Sequence, residues 1–112
     1  MGKRSDTPAA ADLVITIDVE SASTVVHLVG EIDTANSKRL RAMLGERVDD
    51  DHDVVIDLAG VRFIDSSGLG VLVGALRRIN GAGHALILRA PSVSLLRVLE
   101  MTGLADVFPI EY

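Results

Sequence analysis

The sequence predicts a single α/β domain, a mostly parallel mixed β-sheet with an antiparallel first strand, flanked by helices. Three observations carry that expectation. Short β-branched runs alternate with segments whose apolar residues recur at helical spacing. The connecting segments are long enough for the crossovers that parallel pairing requires. A chain of 112 residues can bury one core but not two independent ones.

Residues 1–12 are polar and Ala-rich, with Lys3, Arg4 and Pro8, and lack the apolar stretch of a secretory signal. They are expected as a flexible tail ahead of a domain spanning 13–112. Leu13 to Val19 and Thr24 to Val29 read as two strands joined by a short polar turn, and so as an antiparallel pair. From Asp33 the period becomes helical. Leu40, Met43, Leu44 and Val48 mark an amphipathic helix of about four turns, with Asp33 or Thr34 as N-cap.

The acidic stretch from Asp49 to Asp53 reads as a solvated loop, and Val54 to Leu58 follows as a central strand. Leu69, Leu72, Val73, Leu76 and Ile79 then mark a second helix that starts near Ser66 and ends at Asn80 and Gly81. Ala85 to Leu88 is the next strand. Pro91 and Ser92 open a third helix carrying Leu95, Leu96 and Leu99, which Gly103 ends. Val107 to Tyr112 supplies a last short strand.

Composition narrows the function classes. Hydrophobic residues make up 48% of the chain and aromatic ones only 3%, so the core is aliphatic and stacking on nucleobases is not expected. A formal net charge of −5 is opposite in sign to that of a phosphate-backbone binder, which argues against direct nucleic-acid contact. Cysteine is absent and His27, His52 and His84 are dispersed, so neither a disulfide framework nor a metal site is expected. No apolar run approaches the ~20 residues that span a bilayer. A cytoplasmic protein without membrane contact is the expectation.

In an open α/β sheet, function collects on loops leaving the C-terminal ends of strands. Two such loops stand out, Gly30-Glu31-Ile32-Asp33 and Ile64-Asp65-Ser66-Ser67-Gly68. If their strands are neighbours, Asp33 and Ser66 share one rim. Ser66 stands where a helix begins, so one reading makes it the N-cap. Its surroundings suggest a chemical role instead: a second hydroxyl at Ser67, Asp65 before it, and Gly68, Gly70 and Gly74 in the helix that follows. Each interior helical glycine costs about 1 kcal/mol against alanine. Either another backbone or a nucleotide approaches there, or the helix lies tightly on the sheet. Leu69, Val71 and Leu72 make the first turn apolar nearly all round, which suggests that one of them faces a partner.

The stretch VVIDLAGVRFIDSSGLGVLVGALRRI, with the earlier GEID and the later SLLRVLEMTGLADVF, resembles a STAS domain of the anti-sigma factor antagonist type. The resemblance runs from about residue 13 onward, and the strand followed by D-S-[ST]-G-L-G is its most specific part. It implies a STAS-like fold with Ser66 as phosphoacceptor. Glu31, Asp33, Asp65, Ser67, Gly68, Leu69, Gly70 and Leu72 are then the candidate partner-binding residues. It also implies a partner that is both serine kinase and anti-sigma factor, with ATP and Mg²⁺ held by the partner and no cofactor of the chain's own. Unphosphorylated antagonist binds that partner and frees a sigma factor, phosphorylated antagonist lets go, and a PP2C-type phosphatase resets the switch. Arg62, Arg77 and Arg78 receive no role from the resemblance.

Other readings fit the residues less well. A nucleophile elbow, G-x-S-x-G, matches neither Ser66 nor Ser67, and the available bases, His27 and His84, fall in or beside strand patterns, so an enzyme is not expected. Gly68 to Val73 approaches G-x-G-x-x-G but ends on valine, which leaves weak nucleotide binding as an alternative. A STAS scaffold in another signalling or transport complex is the other.

Overall fold

A computed structural model describes residues 2–6, 13–49 and 51–112. Six strands form one sheet in chain order: β1 (Gly2–Asp6), β2 (Leu13–Val19), β3 (Ser23–Ile32), β4 (Asp53–Ile64), β5 (Leu86–Arg89) and β6 (Ile110–Glu111). β1, β2 and β3 pair antiparallel, and β3 through β6 pair parallel. Helices α1 (Ser37–Arg47), α2 (Ser66–Gly81) and α3 (Val93–Met101) make the three parallel crossovers, and a 3-10 turn at Leu104–Asp106 precedes β6. The expected mixed, mostly parallel architecture is the one observed.

Alternation along the strands decides which face is buried. Leu13, Ile15 and Ile17 of β2 are almost wholly inaccessible while the intervening residues are half-exposed, as a strand with one covered face requires. Those side chains join Val26, Leu28, Ile56, Leu58, Leu86 and Leu88 in one apolar cluster. Leu40 and Leu44 of α1, Leu72, Leu76 and Ile79 of α2, and Leu95 and Leu99 of α3 close over it. Phe108 is the one aromatic side chain in that otherwise aliphatic core.

Several boundaries differ from the sequence reading. Gly2–Asp6, expected within a loose tail, lie along β2 as an edge strand, where their backbone groups take up the hydrogen bonds that β2 would otherwise leave open. The rest of that expected tail, residues 7–12, lies outside the described residues. Helix α1 starts at Ser37 because Asp33 to Asn36 form a closed turn of their own. β4 does not stop at Leu58. It runs through Gly60 to Ile64 beside β3, and register shifts between His27 and Val29 and between Gly30 and Glu31 absorb the mismatch. Gly30 supplies the positive φ, 122°, that such a shift needs. Gly60 sits so near β3 that a Cβ there would come within 2.8 Å of Val29 Cγ2. The strand extension places Ile32 opposite Ile64, and the two rim loops therefore leave the sheet side by side.

No helix among the described residues is long and apolar enough to cross a membrane.

Candidate functional site

The rim is built from the ends of β3 and β4. The Asp65 N–H donates to Ile32 O at 3.1 Å, which ties the start of one loop to the end of the neighbouring strand. Asp33 and Asn36 lock the first loop reciprocally. Asp33 Oδ1 accepts the N–H groups of Ala35 and Asn36, and Asn36 Oδ1 accepts that of Asp33. The Asn36 side-chain amide also donates to Glu31 O at 2.8 Å. Asn36 is therefore a buried polar residue with its bonding capacity used, and it fixes the loop that carries Glu31 and Asp33.

At the head of α2 the cap is Asp65, not Ser66. Asp65 Oδ1 accepts the N–H groups of Ser67 and Gly68, at 2.9 and 3.1 Å, and also the Ser67 hydroxyl. Its Oδ2 accepts the Thr34 hydroxyl from the first loop at 3.3 Å. The Ser67 hydroxyl and the Gly68 N–H, in that order, hold the Asp65 carboxyl below its ordinary value. A carboxylate satisfies the exposed N–H groups of a first turn better than a hydroxyl does, and it suits the positive end of the helix dipole. Ser66 is thereby released from capping. It occupies the first helical position, exposed, and no hydrogen bond engages its hydroxyl among the described residues.

The other candidates separate by burial. Ser67 is half-buried and engaged by Asp65, Gly70 is exposed one turn beyond Ser66, and Glu31 makes only a long 3.8 Å ion pair with Arg62. Gly68 is buried against the strand ends, where a Cβ would come within 2.6 Å of Ile32 Cγ2 and 2.7 Å of Ile64 Cγ1. Leu69 and Leu72 are 8% and 1% exposed. Both belong to the core cluster that α2 shares with the sheet and α1, so packing within the chain accounts for an apolar first turn. Gly68, Leu69 and Leu72 seat the site from beneath.

The glycines divide in the same way. Gly68 is required by close approach to the sheet, whereas a Cβ on Gly70 or Gly74 would meet nothing within 4 Å. Tight packing accounts for the first only.

Sequence reasoning took Thr34 only as a possible N-cap and Ile32 only as part of the first loop, and did not name Asn36, although each positions the site. The Asp33-x-x-Asn36 spacing was the available signal for the closed turn. Of the arginines without an assigned role, Arg62 faces Glu31, and Arg78 donates to Leu44 O and Val48 O at the C-terminal end of α1. His27 is engaged by Asp18 and Asp57, and His84 faces Asp53 at the far end of β4, so neither imidazole reaches Ser66.

Residues 13–112 match the STAS domain family. An anti-sigma-B factor antagonist of Bacillus subtilis is 35% identical over 98 residues, covering 86% of this chain and 90% of the relative. A crystal structure of an anti-sigma factor antagonist from Mycobacterium paratuberculosis superposes with a TM-score of 0.74 at 27% identity, over 94% of this chain and 89% of that one. The fold is also that of a candidate anti-sigma factor antagonist from Thermotoga maritima, with a TM-score of 0.78 at 23% identity, over 86% of this chain and 84% of that one.

Proposed function

The chain belongs to the STAS domain family, and we propose that within it the protein is an anti-sigma factor antagonist whose binding is switched by phosphorylation of Ser66. The observation that carries this reading is the division of labour at the head of α2. Asp65 does the capping, and Ser66 presents a free hydroxyl on a rigid rim. The Bacillus subtilis and Mycobacterium paratuberculosis relatives, named as antagonists of anti-sigma factors, supply the class of partner. That partner is a serine kinase that is itself the anti-sigma factor and holds ATP and Mg²⁺. A PP2C-type phosphatase removes the phosphate, and the chain itself is a regulatory ligand with no reaction of its own.

Physical chemistry explains why a phosphate at this atom releases the partner. Phosphoserine carries about −1.5 to −2 charges at neutral pH. It would stand beside an Asp65 already held ionised, with Asp33 and Glu31 on the adjoining loop. A partner must desolvate that anionic cluster in order to dock. One like-charge pair at 4 Å costs about 4 kcal/mol at an effective dielectric of 20, or roughly a thousandfold in affinity.

The test is to incubate the chain with ATP, Mg²⁺ and serine kinases of the histidine-kinase-like fold, and to locate the phosphate by mass spectrometry. Ser66→Ala and Ser66→Asp are then compared for kinase binding. Labelling at Ser66, lost in Ser66→Ala, and at least hundredfold weaker binding by Ser66→Asp are expected. Equal affinities for the two variants overturn the proposal.

A further inference from the structure

A groove of about 380 Å³ lies between α1 and α2, and nothing in the switch described above uses it. It is lined by the exposed Gly45 of α1 and Gly70 and Gly74 of α2, by the buried Leu44 and Val71, and by Arg41 and Arg78. The groove is continuous with the rim. Ser66, Gly70 and Gly74 follow one another at four-residue spacing, so they lie along a single exposed ridge of α2.

Two features set this groove apart. Gly70 and Gly74 each weaken an interior helical position by about 1 kcal/mol relative to alanine, yet neither is needed for packing within the chain, because the space beside both is open. Arg78, meanwhile, uses Nη2 to bond Leu44 O and Val48 O, while its Nε is buried without any acceptor. A buried donor of that kind is normally satisfied.

Charge identifies the chemistry of the occupant. The chain as a whole carries −5, but α1 and α2 together carry Lys38, Arg39, Arg41, Arg47, Arg77 and Arg78 against Glu46 alone. Lys38, Arg41 and Arg77 are exposed and have no carboxylate partner among the described residues. A basic, apolar-floored groove on an acidic protein complements a segment that pairs aliphatic side chains with carboxylates.

We infer that the α1–α2 groove is a second docking element for the partner that engages Ser66, and that it receives an acidic amphipathic segment of that protein. The inference rests on the switch reading for the identity of the partner. The rim decides whether the partner stays, through the charge on Ser66. The groove supplies apolar contact and charge complementarity that do not change on phosphorylation, and so favours this partner over others.

Gly74→Leu fills the groove while improving helix propensity, and Arg41→Glu reverses one rim charge at an exposed position. Both are expected to fold, which thermal melting checks. The probe is a histidine-kinase-fold serine kinase that binds the wild-type chain, with affinity measured calorimetrically at two salt concentrations. Each variant is expected to weaken binding at least tenfold. Arg41→Glu should also flatten the salt dependence, and Arg41→Lys should restore both affinity and salt dependence. If Gly74→Leu and Arg41→Glu bind within twofold of wild type while Ser66→Asp loses binding, the groove inference is overturned and the switch stands. If the groove variants lose binding while Ser66→Asp keeps it, the groove stands and the switch falls.

Discussion

Thr34, on the loop after β3, donates its hydroxyl to Asp65, on the loop after β4, across 3.3 Å. The same carboxylate caps α2 through its other oxygen. Asp65 is therefore both the helix cap and the strap between the two rim loops, and its variants separate shape from charge. Asp65→Asn retains an acceptor at the cap position, where asparagine serves nearly as well, and should melt close to wild type. Asp65→Ala should melt several degrees lower and release Thr34. Equal melting temperatures for the alanine and asparagine variants would show that the cap contributes nothing.

Asp65 also sets a pH dependence with a definite sign. Its folded-state carboxyl is held below the ordinary value, first by the Ser67 hydroxyl and then by the Gly68 N–H. The stability linked to it is complete above the unfolded value near 3.8, and is lost as pH falls from there through the lowered folded value. Asp57 acts in the same direction. Burial alone would raise its carboxyl, and hydrogen bonds from the Ala59 N–H and His27 outweigh that. Chemical denaturation between about pH 5 and pH 2 should show wild type losing stability relative to Asp65→Asn on the acid side. A gap that stays constant across that range counts against the linkage.

Gly68 and Gly70 stand in contrasting surroundings and make opposite predictions. Gly68→Ala drives a methyl into Ile32 and Ile64 at the strand ends, and overpacking of that kind costs about 1–3 kcal/mol. Gly70→Ala points its methyl into open space and should gain up to about 1 kcal/mol from helix propensity. Urea denaturation of the two variants distinguishes them by sign. If both destabilise, the groove floor beside Gly70 is packed in solution by part of this chain.

The order of elements from Leu13 onward was legible because each strand and helix carries its own hydrophobic period. What escaped the sequence was set between elements. Gly60 looks like a strand break in isolation, yet β4 passes through it because β3 lies close enough to exclude any Cβ. Ser66 looks like the cap because serine is a favoured cap residue. Asp65 takes the position because its N–H is already tied to Ile32 O, which holds the residue extended at the entrance of α2. Leu69 and Leu72 looked like a surplus of apolar residues on one turn, and only the packing of α2 against both the sheet and α1 shows them to be core residues. The sheet edge at β2 accepted Gly2–Asp6 through backbone pairing, to which side-chain period is blind.

His27 stands on the sheet face opposite the helices' core, between two carboxylates. Its Nδ1 lies 2.8 Å from Asp57 Oδ2 and its Nε2 lies 3.1 Å from Asp18 Oδ2. The ring thus ties β2 to β4 across β3. Removing it leaves two part-buried carboxylates facing each other's strands without a common donor. A double-mutant cycle should give a coupling of about 1 kcal/mol for His27 with Asp57, and a smaller one for His27 with Asp18, which is farther from the ring and more exposed. The reverse ranking would mean that the ring faces Asp18 in solution.

Phosphorylation of Ser66 should change binding without melting α2. Ser66 is exposed and contributes no capping bond, so Ser66→Asp should alter stability by less than about 0.5 kcal/mol, as surface substitutions away from structural features do. A phosphate at the first helical position faces the positive end of the helix dipole, which favours it by about 0.3–1 kcal/mol. Asp65 already occupies the N–H groups of Ser67 and Gly68, and its like charge offsets part of that gain. The two effects oppose each other, so the helix is left near its unmodified stability while the rim gains a dianion. Amide hydrogen exchange over Leu69 to Leu76 should therefore be unchanged between the phosphorylated and unmodified chains, even as partner affinity falls at least hundredfold. Loss of exchange protection across that first half of α2 on phosphorylation would replace the charge mechanism with a local order-to-disorder switch.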